Sequence, residues 1–179
     1  MKALIQNRGH LVNLLIFVVM WVVISFNYYL IYFQIKYMEG DFYINTIVSS
    51  LSELTAYAIS GLIIDRLGMK PCYLFSFSVV VTGSTLYLFL RSTYANLTPI
   101  LLLLTSFGIC FGFNINWNSN AVLFPVLFTS STNGICSLFS RLAGTLTPQL
   151  AELEQPWPMV TVAGLSMAAG VLCLFLRKI

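Results

Sequence analysis

Six long runs of apolar residues dominate the sequence and limit what it can fold into. They cover residues 11–33, 43–64, 72–90, 99–119, 131–150 and 157–176. A bilayer core about 30 Å thick is crossed by roughly 20 helical residues, and backbone polar groups inside it must be paired within the protein. The runs therefore predict an all-α membrane protein with six transmembrane helices. Because the connections are short, residues 1–179 are expected to form a single transmembrane domain.

Composition supports this prediction and excludes other classes of protein. Of the 179 residues 58% are hydrophobic and 8% are charged, whereas soluble domains carry about 25% charged residues. The lipid bilayer is therefore an expected partner. The net charge of +3 is too small to neutralise several phosphates, which excludes nucleic acid as a main partner. The four cysteines lie in or beside apolar runs without CxxC spacing, so no metal site and no cofactor are expected.

Basic residues are distributed unevenly between alternate sides of the predicted spans. One side holds Lys2, Arg8, Arg66, Lys70, Arg177 and Lys178, whereas the other holds Lys36 and Arg91. Cytoplasmic segments beside span ends are enriched in Lys and Arg. The distribution therefore predicts a multi-pass protein with both termini in the cytosol. The first run is too long for a signal-peptide core and is expected to be retained.

Two ionisable residues remain inside the predicted spans, Glu53 in the second and Arg141 in the middle of the fifth. A charge at mid-bilayer costs a few kcal/mol or more, so such residues usually face the bundle interior or a wet cavity. A structural ion pair, or a side chain that reaches the headgroups, is the alternative. Glu53 shares a polar stripe with Tyr57, and Arg141 shares a ridge of small residues with Gly144.

The sequence does not favour an enzyme. Its single histidine, His10, lies at a span boundary, and no GxSxG, HExxH or Gly-rich phosphate loop occurs. A lone carboxylate such as Glu53 cannot carry hydrolysis without a nucleophile or metal within reach.

Several strings resemble a known family. They are "WVVISFNYYL" from Trp21, "EGDFYINTIVSSLSELTAYAISGLIIDRLGMKP" ending at Pro71, "GFN" at Gly112, "LFP" at Leu123 and "SRLAGTLTP" from Ser140. Together they resemble the C-terminal half of major facilitator superfamily transporters, specifically the organic ion transporter family of organic cation, anion and carnitine-type solute carriers. The resemblance implies one half of a major-facilitator bundle and transport of small organic ions.

The resemblance also implies roles for particular residues. The central substrate cavity would be lined from this half by Tyr28, Tyr29, Glu53, Tyr57, Phe113 and Arg141. A gating loop would be formed by Gly61, Asp65, Arg66, Gly68 and Lys70. In this family a basic residue at the position of Arg141 is common in carriers of organic anions and zwitterions, so these substrates are favoured. The plasma membrane is favoured over an organelle.

The sequence departs from the family pattern in its loop residues and in its length. Met69, Val122 and Thr129 stand where the family has members of a charge network that latches the two halves, and Thr55 replaces a proline. A chain with one half lacks the opposing wall of the cavity, so an N-terminal half, a second copy or a larger membrane complex is the expected partner. The alternative is a transport-silent membrane subunit or regulator that keeps the half-carrier fold.

Overall fold

The structure is a computed structural model that describes residues 8–37, 41–90 and 97–176, with side chains from Leu11 onward. Some residues used in the topology prediction lie outside this description. These are Lys2, Arg91, Arg177 and Lys178, together with the side chains of Arg8 and His10. The cytosolic location of the termini therefore stays a prediction.

Within the described ranges the chain forms α-helices joined by short turns, which confirms the all-α prediction. The helices are α1 (Arg8–Gln34), α2 (Phe42–Leu67), α3 (Met69–Leu90), α4 (Thr98–Leu123), α5 (Val126–Gly144), α6 (Thr147–Ala151) and α7 (Trp157–Leu174). A 3-10 turn at Ile35–Tyr37 continues α1. Asp41 begins α2 by accepting hydrogen bonds from the backbone N–H groups of Tyr43 and Ile44, which have no partner within the helix.

Five helices are long and apolar enough to cross a membrane: α1 with its 3-10 turn, α2, α3, α4 and α7. The span predicted over about residues 131–150 is not one continuous helix. That region is divided between α5, which begins earlier at Val126, and the short helix α6. Pro148 explains the break, because its ring would clash with the carbonyl of Gly144 four residues before it. The helix therefore stops at Gly144. Its Ser, Thr and Asn residues and Arg141 also make α5 more polar than the other long helices.

The described helices pack in two layers. The front layer is a row in the order α2, α4, α1, α5, with each helix packed against the next. The back layer consists of α3, which packs on α4, and α7, which packs on α1 and α3. We call the side of the row that faces away from α3 and α7 the open face; Tyr29, Glu53, Trp117 and Arg141 lie along it. No described element packs across it.

Glycine allows α3 and α4 to approach closely. A Cβ added at Gly108 would lie 2.8 Å from Cγ2 of Val80 and 3.0 Å from its backbone nitrogen. A Cβ at Gly83 on α3 would likewise lie 2.5 Å from Oγ1 of Thr105. Lipid tails give helices no hydrophobic reason to associate, so small residues that bring backbones into contact supply the packing energy. The two glycines therefore fix α4 against the back layer.

Hydroxyl groups fill the seam between α2 and α4. The buried residues of α2 are Asn45, Ser49, Ser52, Ala56 and Ser60, all small or polar. Ser52 Oγ donates to the carbonyl of Leu103 at 2.7 Å, and Ser49 Oγ lies 3.4 Å from Ser106 Oγ. Further along, Asn114 Nδ2 donates to Ser60 Oγ. This polar seam sets the depth and rotation of α2, and hence the position of Glu53.

Replacing Gly108 with alanine should separate α3 from α4, because the backbone of Val80 cannot move aside as a flexible side chain would. Overpacking of this kind costs about 1–3 kcal/mol, and we expect Gly108→Ala to lower the thermal midpoint of the chain in detergent. The matched control is Gly164→Ala on α7, where an added Cβ meets nothing within 4 Å. Equal midpoints for the two variants would contradict close packing at Gly108.

Candidate functional site

Glu53 is held in place by two tyrosines. The hydroxyls of Tyr28 on α1 and Tyr57 on α2 both donate to Oε1 of Glu53, each at 3.1 Å. Oε2 makes no hydrogen bond with another described residue. The Glu53 side chain is half-buried at the junction of α1, α2 and α4. Two donors compensate part of the cost of removing a carboxylate from water, and they orient it while one oxygen is left for a further partner.

An aromatic cluster surrounds the Tyr28 hydrogen bond. The Tyr28 ring centroid lies 5.5 Å from that of Tyr29, 5.5 Å from that of Tyr32 and 5.7 Å from that of Phe113. Tyr29 and Tyr32 are exposed, whereas Tyr28 and Phe113 are half-buried. The contact with Tyr29 is edge-on and the other two are tilted, and ring contacts at these distances favour fixed orientations. The cluster gives the open face a rigid aromatic wall beside the carboxylate.

A small cavity opens beside Glu53. It is lined by Tyr28, Ile31, Tyr32, Ser49, Glu53, Ser106, Ile109 and Cys110. Tyr32, Ser106 and Cys110 are lining residues that the sequence analysis did not single out. Tyr32 follows Tyr28 by one helical turn, so helical spacing alone could have identified it. Ser106 and Cys110 carry no such signal, because only the packing of α4 on α2 brings them to this place.

Arg141 lies apart from this cluster. It is in the last turn of α5 and not at mid-span as predicted, because α5 ends at Gly144. Its side chain is exposed, and no hydrogen bond or ion pair joins its guanidinium to another described residue. It lies one turn before Gly144, whose added Cβ would be 3.9 Å from Cδ2 of Tyr29, and this spacing places it on the part of α5 nearest the Tyr29 edge of the open face. Phe139 and Leu142 on the same helix are also exposed.

Arg141 and Glu53 lie at a similar depth in the bundle. Arg141 precedes Gly144 by one turn, about 4.5 Å along the helix axis, and Gly144 is level with Tyr29. Glu53 is bound to the hydroxyl of Tyr28, the neighbour of Tyr29. The two charges therefore occupy α5 and α2, the two ends of the front row, with the aromatic cluster between them. The structural ion pair considered from the sequence does not form among the described residues.

The predicted gating loop lies between α2 and α3 at one end of the bundle. Gly68 ends α2 with a φ of 80°, a conformation that residues with a Cβ rarely adopt. Asp65, Arg66 and Gly68 are exposed, as is Gly61 earlier on α2, and Lys70 is half-buried. A cavity of about 560 Å³ lies between this loop and α4; Val122 and Asn118 line its other side. We call this end of the molecule the Asp65 end.

A neutral bridge joins α4 to α5 at the Asp65 end. Thr132 Oγ1 donates to Asn120 Oδ1 at 2.7 Å, and Asn120 Nδ2 donates to the carbonyl of Thr129 at 3.0 Å. Val122 is 64% exposed, so no buried charge is left without a partner where the family has an acid. Thr55, the other departure, donates its hydroxyl to the Leu51 carbonyl, and α2 continues straight through it.

The structure groups most of the sequence-predicted site residues on one side of the bundle. Among the described residues no cluster of three His, Cys, Asp or Glu side chains could hold a metal ion. Tyr28, Tyr29, Glu53, Tyr57 and Phe113 come together, and Arg141 stands across the open face from them. A carboxylate, a guanidinium and aromatic walls are what recognition of a small charged organic molecule requires.

The hydrogen bond between Tyr28 and Glu53 should be measurable as a coupling free energy between the two residues. In a double-mutant cycle of Tyr28→Phe and Glu53→Leu, unfolding in detergent should show an interaction energy of about 0.5–1.5 kcal/mol. The matched cycle pairs Tyr32→Phe with Glu53→Leu, and its coupling should be near zero because Tyr32 does not bond to Glu53. Equal coupling in both cycles would mean that the bond to Tyr28 contributes nothing specific.

Comparison with known proteins supports the resemblance seen in the motifs. The chain is 29% identical to human Solute carrier family 22 member 13 over 173 residues, 93% of this chain and 31% of the relative. It is 30% identical to Solute carrier family 22 member 15 of Xenopus tropicalis over 176 residues, 92% of this chain and 33% of the relative. It is 25% identical to human Organic cation/carnitine transporter 2 over 167 residues, 90% of this chain and 29% of the relative.

The chain spans about a third of the length of these relatives. No protein-family model matches it. The relatives nevertheless match nearly all of the chain, and its helices form the membrane bundle that the motifs implied. The resemblance is thus confirmed, and this chain is a multi-pass membrane protein related along most of its length to the organic ion transporters of solute carrier family 22.

Proposed function

We propose that this chain forms one half of a carrier that moves small organic ions across a membrane by alternating access, with anions or zwitterions as the favoured substrates. The observation that carries the proposal is the pair of charges on the open face. Glu53 is satisfied at one oxygen by two tyrosines, whereas the guanidinium of Arg141 has no partner among the described residues. The guanidinium of Arg141 therefore gains more hydrogen bonds from a bound ligand than the carboxylate of Glu53 does.

Arg141 would hold the anionic group of the substrate. Its planar guanidinium can bind a carboxylate or sulfonate through two parallel hydrogen bonds. The aromatic wall of Tyr28, Tyr29 and Phe113 would contact the apolar body. A zwitterion would place its cationic group against the free Oε2 of Glu53. One matched protein is named an organic cation/carnitine transporter, and carnitine is itself a zwitterion.

The charges on the open face would have to be covered by a second helical bundle. Glu53 and Arg141 cannot face lipid tails without a cost of a few kcal/mol each. An N-terminal six-helix half, a second copy or a larger membrane complex would cover the face and enclose the charges in a shared aqueous cavity. Facilitator-type carriers place substrate between two such halves and rock one against the other. We infer that the partner supplies the other wall of the cavity and that the plasma membrane is the site of action.

Features of the Asp65 end favour a second function, that of a transport-silent membrane subunit. The bridge of Asn120, Thr129 and Thr132 is uncharged, and Val122 is exposed to the loop cavity. A chain without a charged latch suits a transport-silent subunit that packs in a larger complex. This function predicts co-purification with a larger membrane protein at fixed stoichiometry and no uptake in any pairing, whereas uptake by the paired halves would exclude it.

Uptake measurements with charge variants test the carrier function. The chain is co-expressed with the unmatched part of the Xenopus tropicalis member 15, and uptake of labelled carnitine and labelled benzoate into vesicles is measured. Arg141→Ala removes a charged hydrogen-bond pair of about 1.5–3 kcal/mol, so uptake efficiency should fall about 10- to 100-fold. Arg141→Lys should retain part of the uptake. The control is Lys36→Ala, whose lysine lies over Tyr37 in the 3-10 turn that follows α1. Unchanged uptake in Arg141→Ala would remove Arg141 from the mechanism.

The proposed topology is tested separately with terminal epitope tags. Arg66 and Lys70 lie together at the Asp65 end, and basic residues favour the cytosolic side. Tags at either terminus should become accessible to antibody only after cells are permeabilised. A tag in the connection between α1 and α2 should be accessible in intact cells. The reverse pattern would invert the orientation of every helix.

A further inference from the structure

Trp117 is a large aromatic side chain on the open face that lies outside the aromatic cluster around Tyr28. It is 51% exposed, although α4 lies in the middle of the front row. Its ring packs edge-on against the buried Trp21 of α1, with centroids 5.3 Å apart. Trp21 in turn packs on Phe17, at 5.5 Å. The indole of Trp117 is thus held by a buried aromatic partner and keeps about half of its surface free.

Trp117 lies closer to the Asp65 end than the charged residues do. It follows Phe113 by one turn of α4, and its partner Trp21 precedes Tyr28 by two turns of α1. At 1.5 Å per residue these steps correspond to about 6–10 Å along the bundle. The two contacts, Tyr28 with Phe113 and Trp21 with Trp117, therefore define two separate levels on the open face.

Glycines on α2 and α5 lie close to the level of Trp117. Gly61 follows Tyr57 by one turn on the same face of α2, and Gly134 precedes Arg141 by two turns on the same face of α5. A Cβ added at either glycine meets nothing within 4 Å. The space directly over each glycine is therefore open, and neither position has a side chain that could project toward Trp117.

This second level carries no charged side chain. On α2 there is no charge between Glu53 and Asp65, α4 has none, and Arg141 is the single charged residue of α5. The neighbouring polar groups are amides, of which Asn118 Nδ2 donates to the Asn114 carbonyl at 3.1 Å. Attraction at this level must come from the ring face, which recognises flat shape and aromatic character rather than net charge.

We propose that Trp117 forms a second, uncharged binding station for the flat aromatic body of a transported ion, between the charged level and the Asp65 end. This rests on the proposed function. An ion that leaves Arg141 loses a strong hydrogen-bonding partner. An aromatic surface on which the ion can stack, one to two turns away, lowers the free-energy cost of leaving. The station acts on aromatic substrates alone, because an aliphatic ion has no flat face to place on the indole.

The first test compares two substrates in the same vesicles, with the paired assembly described above. In Trp117→Ala, uptake of labelled benzoate should fall at least fivefold relative to uptake of labelled carnitine. Trp117→Phe, which keeps an aromatic face, should restore most of the ratio. The matched control is Trp157→Ala, an exposed tryptophan at the start of α7 that should leave the ratio unchanged. An unchanged ratio in Trp117→Ala would overturn the station while leaving carrier function intact.

The second test needs no transport and so separates failure of the station from failure of the proposed function. The protein has 3 tryptophans, so a Trp157→Phe background leaves Trp21 and Trp117 as emitters. In the assembly with a tryptophan-free partner half, 4-nitrobenzoate should quench indole emission in a saturable way. That quenching should disappear in Trp117→Phe, because Trp21 is buried. Equal saturable quenching with and without Trp117, or none at all, would overturn the proposal.

Discussion

The contacts of α4 with α2 and α3 hold the rest of the molecule in place. In a bilayer, helices gain nothing from hiding apolar side chains from one another, so association depends on close packing and interhelical hydrogen bonds. α4 meets this requirement on two sides. Gly108 packs closely against α3, and the side chains of Ser106 and Asn114 contact serines of α2. Every group of the candidate site is placed by this helix or by a helix that packs directly on it.

The two charges of the open face differ in how firmly they are held. Glu53 is fixed by hydroxyls from two helices, so it can orient a cationic group without rearranging. Arg141 is attached only through its own helix, and the negative end of the α5 dipole favours a cation in its last turn. A carboxylate held by two hydroxyls and a guanidinium without a described partner would suit a site in which the guanidinium binds the anionic group of a ligand.

Much of this arrangement follows from sequence because apolar length and helical spacing are strong signals. The spans and the stripe of Glu53 and Tyr57 depend on residues within one helix. The break at Pro148 was missed because the apolar run continues through it, and only the clash with Gly144 ends the helix. Cys110 and Trp21 were missed for another reason. Their places depend on the rotation of one helix against another, which apolar composition does not encode.

The Asp65 end determines how such a half could change state. Where the family uses charges to latch its halves, this chain bridges α4 and α5 with Asn120 and two threonines, across the break at Pro125. A neutral bridge does not titrate, and it adds no charge that a partner half could engage. In a carrier of the kind proposed, the balance between inward and outward states would then come from the ligand and the partner, because a bundle without a latch biases neither state. A weak uncharged surface at Trp117 is consistent with that design, since an ion must leave as readily as it enters.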